Sequence, residues 1–174
     1  MNISLILYND EIELASWLIR QFWKVHNNYE ESIEESYEEI KLWTKEGNKL
    51  YLIKNDNEFI GFAHLGSRGC KVDWLEDIFI LSEHQNKGIG TNVITLIENI
   101  VRKYSDSLYI ETAARNEKAI RLYKKIGYDC LNTITVRKDF DLEKYESIRK
   151  EKIYGLDFDI KRNKNNWART INIK

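Results

Sequence analysis

The feature that most constrains this chain is an apolar stretch ending in a short loop with two glycines, which reopens as an amphipathic helix. Residues 72–81 read as a long strand, amphipathic at its start and wholly apolar at Ile78-Phe79-Ile80. Gln85-Asn86-Lys87-Gly88-Ile89-Gly90 follows, and a helix is predicted over 91–104 with Val93, Ile97, Ile100 and Tyr104 on one face. Residues 3–8 predict a first strand. Asn9-Asp10 then offers a cap to a helix with Leu14, Leu18, Phe22 and Val25 on one face, widened by Ala15 and Ile19. Residues 26–28 break it, and a second helix over 30–46 buries Ile33, Tyr37 and Ile40 and stops at Gly47. Residues 49–54 and 58–65 predict strands joined by the turn residues Asn55-Asp56-Asn57. Later come a short strand over 108–112, a helix over 117–126 ended by Gly127, and a strand over 130–138. Residues 142–149 carry a helical pattern, and 152–161 alternate as a last strand. The order is that of an α/β chain: a central mixed, mostly antiparallel sheet flanked by helices in three α-β-α layers.

Composition excludes several alternatives. With 174 residues and no low-complexity linker or repeat, one domain with a single core is expected. A formal net charge of −1 argues against affinity based on phosphate neutralisation, so no nucleic-acid partner is expected. No apolar run approaches the roughly 20 residues of a membrane span, and the N-terminus carries no signal-peptide pattern. Two cysteines, Cys70 and Cys130, are too few for a disulfide framework and read as reduced thiols of a cytoplasmic protein. His26, His64 and His84 share no ligand spacing, so no metal site is expected. The tail beyond Asp159 holds Lys161, Arg162, Lys164, Arg169 and Lys174 but no nucleic-acid reading element.

The loop has a chemical meaning. The first turn of a helix leaves backbone N–H groups without acceptors, and the helix dipole adds partial positive charge there. Gly88 and Gly90 let the backbone approach an anion closely, and Lys87 adds a cation. Gly-Ile-Gly-Thr lacks the lysine that a P-loop needs after its second glycine. A dinucleotide fingerprint would need a glycine where Val93 stands, although Glu111 has the spacing of a ribose-binding acid.

A second block refines this. Asn116-Glu117-Lys118-Ala119-Ile120-Arg121-Leu122-Tyr123-Lys124-Lys125-Ile126-Gly127-Tyr128, placed after Gln-x-x-Gly-x-Gly, resembles the C-terminal motif of the GNAT N-acetyltransferases, and the loop resembles their acetyl-CoA motif. The likeness covers roughly residues 3–139, the first 48 in element order only, and lacks the proline family members often carry in Leu81-Ser82-Glu83-His84. It implies an acyl-CoA N-acyltransferase fold over 1–140, with 141–174 as a C-terminal extension packed on the same domain. It also implies acetyl-CoA as co-substrate, an amine acceptor, and allows a homodimer. By resemblance, Ile78, Phe79 and Ile80 pair with pantetheine as an added strand. Gln85, Asn86, Lys87, Gly88, Ile89, Gly90 and Thr91 hold the pyrophosphate, and the Asn116 amide contacts the cofactor. Tyr123 fills the general-acid slot, and a phenol with a pKa of about 10 is protonated at neutral pH. Two carboxylates stand as alternatives for the base: Glu76 in Leu-Glu-Asp-Ile-Phe-Ile, similar to polyamine acetyltransferases, and Glu111, at the position used by N-terminal-amine acetyltransferases.

The acceptor is less constrained. Residues 30–39 hold six glutamates, and an acidic wall would gather a cation such as a polyamine, an aminoglycoside or a lysine peptide, yet a solvated helix face has the same composition. Trp17, Trp23, Trp43 and Trp74 could line an acceptor pocket, but tryptophans at helical spacing more often belong to a core. A small-molecule acetyltransferase, a protein acetyltransferase and a CoA-sensing domain remain as alternatives.

Overall fold

The computed structural model describes residues 2–164. Two compact units divide the chain, one running to Glu111 and the other starting at Thr112.

The first unit is built on five strands: β1 (Ile3–Leu7), β2 (Asn48–Asn55), β3 (Glu58–Ser67), β4 (Val72–Ile80) and β5 (Tyr109–Ile110). They lie in chain order across the sheet. β1 to β4 pair antiparallel, and β5 runs parallel to β4. Helices α1 (Ile12–Asn27), α2 (Ile33–Thr44) and α3 (Ile89–Val101) flank it. Leu50 to Ile53 and Ile60 to Gly66 are buried without a break, so both faces of the central strands are covered. Leu18, Ile19 and Phe22 of α1 and Ile40 of α2 pack on Leu50, Leu52, Phe62 and Phe79. The side chains between them point to the opposite face, and α3, packed on β1 and β4, buries Ile89, Val93, Ile94 and Ile97. β3 approaches β4 so closely that a Cβ at Gly61 would stand 2.0 Å from the Phe79 carbonyl oxygen, which only glycine permits.

The helices differ from expectation at their ends. The α1 cap is Glu11 in place of Asn9-Asp10: Asp10 takes a left-handed φ of 68°, and the Glu11 carboxylate accepts from the Asn9 N–H at 2.7 Å. α2 starts at Ile33 because Ser32 and Glu35 form a reciprocal capping box. This shifts the buried stripe. Ile33 is exposed and Ser36 is buried, its Oγ 2.6 Å from Ser16 Oγ of α1.

The second unit holds α4 (Glu117–Lys125) and a hairpin of β6 (Tyr145–Ile153) and β7 (Leu156–Asn163). Three expectations fail here. Residues 142–149 are not helical: a 3-10 turn, Leu142–Lys144, leads straight into β6. The expected final strand over 152–161 is cut by Tyr154 and Gly155, both left-handed at φ 53° and 81°, the geometry of a tight hairpin turn. Residues 130–138 form no strand; Leu131 and Val136 are largely exposed, because an alternating pattern becomes a strand only where a ladder partner reaches it. Asp139 organises part of this unit. Its carboxylate accepts from Lys161 Nζ at 3.0 Å and Arg137 Nε at 2.7 Å, and the Lys161 hydrogen bond leads in holding its pKa below the usual range. Of the basic tail, Arg169 and Lys174 lie outside the described residues.

Candidate active site

The sheet is open where the loop begins. β4 pairs with β3 as far as Ile80, but β5 meets β4 only at Trp74–Tyr109 and Leu75–Ile110. Past Leu75, no described strand takes the other edge of β4, so Ile78, Phe79 and Ile80 present backbone groups on that side. An extended amide-bearing chain fits such an edge.

From Ile80 the backbone passes a 3-10 turn, Ser82–His84, and reaches α3 through Asn86 at φ 59° and Gly88 at φ 78°. Gly88 is the N-cap of α3, no side chain caps that helix, and its first turn carries no acid. The N–H groups of Ile89, Gly90 and Thr91 therefore face outward without intrahelical acceptors. Beyond its chain neighbours, no described atom lies within 4 Å of a Cβ at Gly88, so the ground beside these donors is clear among the described residues. The buried Ile89 side chain anchors the turn from below. This geometry fits a pyrophosphate. The Gln85 amide donates to the Ile80 carbonyl at 2.7 Å and braces the loop.

Glu76 and Glu111 come together through a residue the sequence reading overlooked. Arg68, in the β3–β4 connection, donates from Nε and Nη2 to the two oxygens of Glu76 at 2.9 and 2.6 Å. Its Nη1 donates to Glu111 Oε2 at 2.5 Å. The guanidinium lies 4.0 Å over the Trp74 ring, which stacks on Tyr109. Hydrogen bonds donated to Glu76, then to Glu111, raise the arginine's pKa further above its already high value. Nothing local in Ser67-Arg68-Gly69 points to this role; it depends on strands that meet only in the fold.

A second polar group surrounds His64. Its Nδ1 lies 3.0 Å from Asp77 Oδ2 and its Nε2 2.9 Å from Asn48 Oδ1, and Trp43 stacks over the ring at 4.7 Å. Trp43 thus belongs to the core, and Trp17 is exposed at the surface.

Trp23 lines a cleft of about 900 Å³ beside α2, with Tyr29, Tyr37, Glu31, Glu35 and Glu39 among its walls. Trp23 Nε1 donates to Glu39 Oε2 at 2.8 Å, and the Tyr29 hydroxyl donates to Glu35 at 2.6 Å. Glu31 is 5 % exposed and its Oε2 has no hydrogen-bond partner. Burial first, then the nearby Glu39 and Glu35, pushes its pKa up to about 7.

The second unit carries the other expected residues. Asn116 caps α4, its side-chain oxygen accepting from the Ala119 N–H at 3.2 Å. Arg149 of β6 donates to Glu117 at 2.7 Å and to the Ala114 carbonyl at 3.1 Å, securing the start of α4. Tyr123 is partly buried, its ring 5.9 Å from that of Tyr128, and burial raises its phenol pKa above the ordinary value. Among the described residues, no group of three or more His, Cys, Asp or Glu could hold a metal ion. No described helix is long and apolar enough to cross a membrane.

The open β4 edge thus lies just before the uncapped, glycine-started α3 in the chain. Residues 12–128 match the acetyltransferase (GNAT) family, and the chain belongs to it, an acyltransferase by class. Its fold is similar to that of a possible acetyltransferase from Clostridium difficile 630 (14 % identity, TM-score 0.65, 81 % of this chain and 100 % of that one). It is similar to a ribosomal-protein-alanine N-acetyltransferase from Brucella melitensis biovar Abortus 2308 (14 % identity, TM-score 0.63, 80 % and 100 %). It is also similar to the aminoglycoside N-acetyltransferase AAC(6')-Iy, solved with CoA (15 % identity, TM-score 0.60, 80 % and 96 %).

Proposed function

We propose that this protein moves an acetyl group from acetyl-CoA to a primary amine of a cationic small molecule, of the polyamine or aminoglycoside kind, by direct attack. The observation that carries the acceptor class is the cleft beside α2. It combines aromatic walls from Trp23, Tyr29 and Tyr37 with glutamates, of which the buried Glu31 has an oxygen, Oε2, without a hydrogen-bond partner. A buried carboxylate oxygen without a donor is costly, and an ammonium group entering beside it removes that cost. Aromatic faces add attraction for the same cation.

Acetyl-CoA supplies the activated acetyl thioester. The free edge at Ile78, Phe79 and Ile80 and the N–H groups of Ile89, Gly90 and Thr91 hold it, with Lys87 nearby. Tyr123 Oη keeps a proton at neutral pH, because burial raises its pKa, and gives that proton to the leaving sulfur. Acetyl-CoA turnover measured with spermidine, kanamycin and a short peptide tests this reading. Turnover with either cation supports it, turnover with the peptide alone points to a protein acetyltransferase, and CoA binding without any turnover points to a sensor.

Glu31 gives the acceptor a pH dependence. Below a pKa of about 7 the carboxyl is neutral and offers an ammonium no charge, so spermidine affinity rises as pH increases through 7 and then levels. Calorimetry at pH 6 and pH 8 is expected to show severalfold tighter binding at pH 8, and Glu31→Gln removes the difference. The same shift acts on folding with the opposite sign. The folded state holds more protons than the unfolded one between the ordinary value of 4.5 and about 7, so Glu31 costs stability as pH rises through that window. Melting curves of Glu31→Gln therefore gain on the wild type at pH 8 and not at pH 4.

A further inference from the structure

We propose that Arg68 is a positioning residue for the transfer reaction: it staples β4 to β5 where their ladder ends and decides which carboxylate oxygen stays open to the acceptor amine. This rests on the function proposed above.

The two strands share the rungs Trp74–Tyr109 and Leu75–Ile110 and then part. Strand side chains alternate between faces, so Glu76 lies on the face of Trp74 and Glu111 on the face of Tyr109. The first rung missing from the ladder would thus set two carboxylates side by side, and like charges so placed repel. Glu76 also falls at a register shift, opposite no residue of β3, so its place is not set by the β3 ladder. A cation between the two carboxylates turns this repulsion into a link.

Arg68 is shaped for that position. Its Nε and Nη2 take both oxygens of Glu76, its Nη1 reaches Glu111 Oε2, and its flat face rests on Trp74. A planar fork that also stacks is an arginine property; a lysine ammonium supplies the charge without the geometry. Arg68 itself belongs to an exposed connection whose other residues, Gly69, Cys70 and Lys71, are exposed too.

The grip treats the carboxylates unequally. Glu76 has both oxygens engaged. Glu111 engages Oε2 only, and its side chain is 61 % exposed, so Oε1 is left for an incoming amine. Two carboxylates against one guanidinium leave one negative charge, which still attracts an ammonium. Glu76 therefore acts by holding Arg68, and Glu111 is the carboxylate that meets the substrate.

The test compares wild type, Arg68→Ala and Arg68→Lys with spermidine as acceptor, with and without about 10 mM guanidinium. In Arg68→Ala, kcat/KM for spermidine is expected to fall at least tenfold, while acetyl-CoA affinity by calorimetry stays within twofold of wild type. Guanidinium is expected to restore a good part of that loss by entering the vacated fork, and to leave the wild type unaffected. Arg68→Lys is expected to recover less than the rescued alanine variant. Wild-type kinetics in Arg68→Ala would overturn the proposal, and so would a loss that guanidinium does not restore. Should the wild type acetylate neither spermidine nor any other amine, the acceptor reading fails by itself. A guanidinium-dependent rise in the melting temperature of Arg68→Ala alone would then still support the staple, and its absence would overturn it.

Discussion

Gly88→Val is expected to lower acetyl-CoA affinity at least a hundredfold while the fold persists, as read by calorimetry beside a melting curve. Gly88 caps α3 at φ 78°, a left-handed conformation that costs an L residue about 1–2 kcal/mol, and a β-branched one more. That strain acts on the loop itself, turning the first N–H groups of α3 away from a common target. The second effect is steric. Beyond the chain neighbours, no described atom lies within 4 Å of a Cβ at this position, so the added side chain starts out into open space and not into the core. It occupies the open ground over the helix start, where a phosphate would have to come within hydrogen-bond distance of the backbone. A hundredfold loss is about 2.7 kcal/mol, a reasonable sum for a displaced donor set and a blocked approach. Gly88→Ala, smaller and unbranched, is expected to lose less. Affinity retained in the valine variant would show that the α3 start does not hold the pyrophosphate.

Tyr123→Phe is expected to reduce kcat at least tenfold without weakening acetyl-CoA binding. The substitution keeps the ring, its packing near Tyr128 at 5.9 Å and its share of buried surface, and removes only the hydroxyl. Burial raises the pKa of that hydroxyl above the usual phenol range, so in the wild type it carries its proton throughout the neutral range. Losing the donor leaves a departing thiolate unprotonated, and general acid catalysis of this kind is worth about 10²–10⁴ in rate. Steady-state kinetics with calorimetry separates the effects: kcat falls, while KM and acetyl-CoA affinity hold. An unchanged kcat would take Tyr123 out of the chemistry and leave it as a packing residue on α4.

What could be read along the chain was what neighbouring residues decide. The helix faces of Leu18, Ile19 and Phe22 and of Val93 and Ile97 came from spacing alone, because amphipathic periodicity is itself a local statement of burial. Gln85 to Gly90 and Asn116 to Tyr128 were legible because a glycine in a turn and a cap at a helix start act over a few residues. The capping box Ser32-x-x-Glu35 was equally local and equally present, and overlooking it misplaced the start of α2 and the exposed Ile33. Tyr154-Gly155 was a similar signal, whose two left-handed residues make a hairpin where one long strand was expected.

Other features could not be read locally. Residues 130–138 have the alternation of a strand, but a strand is a pairing, and no described strand pairs with them. Glu76 and Glu111 stood as alternatives for one role until the fold set them beside one another on Arg68. Arg68, 43 residues before Glu111, became visible only as the cation between them. His64, dismissed as a metal ligand, proved to be a buried link between Asp77 and Asn48. The sequence alone determined the kind of protein, because the two blocks whose resemblance points to the family, Gln85 to Gly90 and Asn116 to Tyr128, are each written in consecutive residues. Only the tertiary structure decided how the carboxylates are held and where a buried one keeps an oxygen without a partner. Charge interactions fall with distance in space, and separation along the chain does not measure that distance.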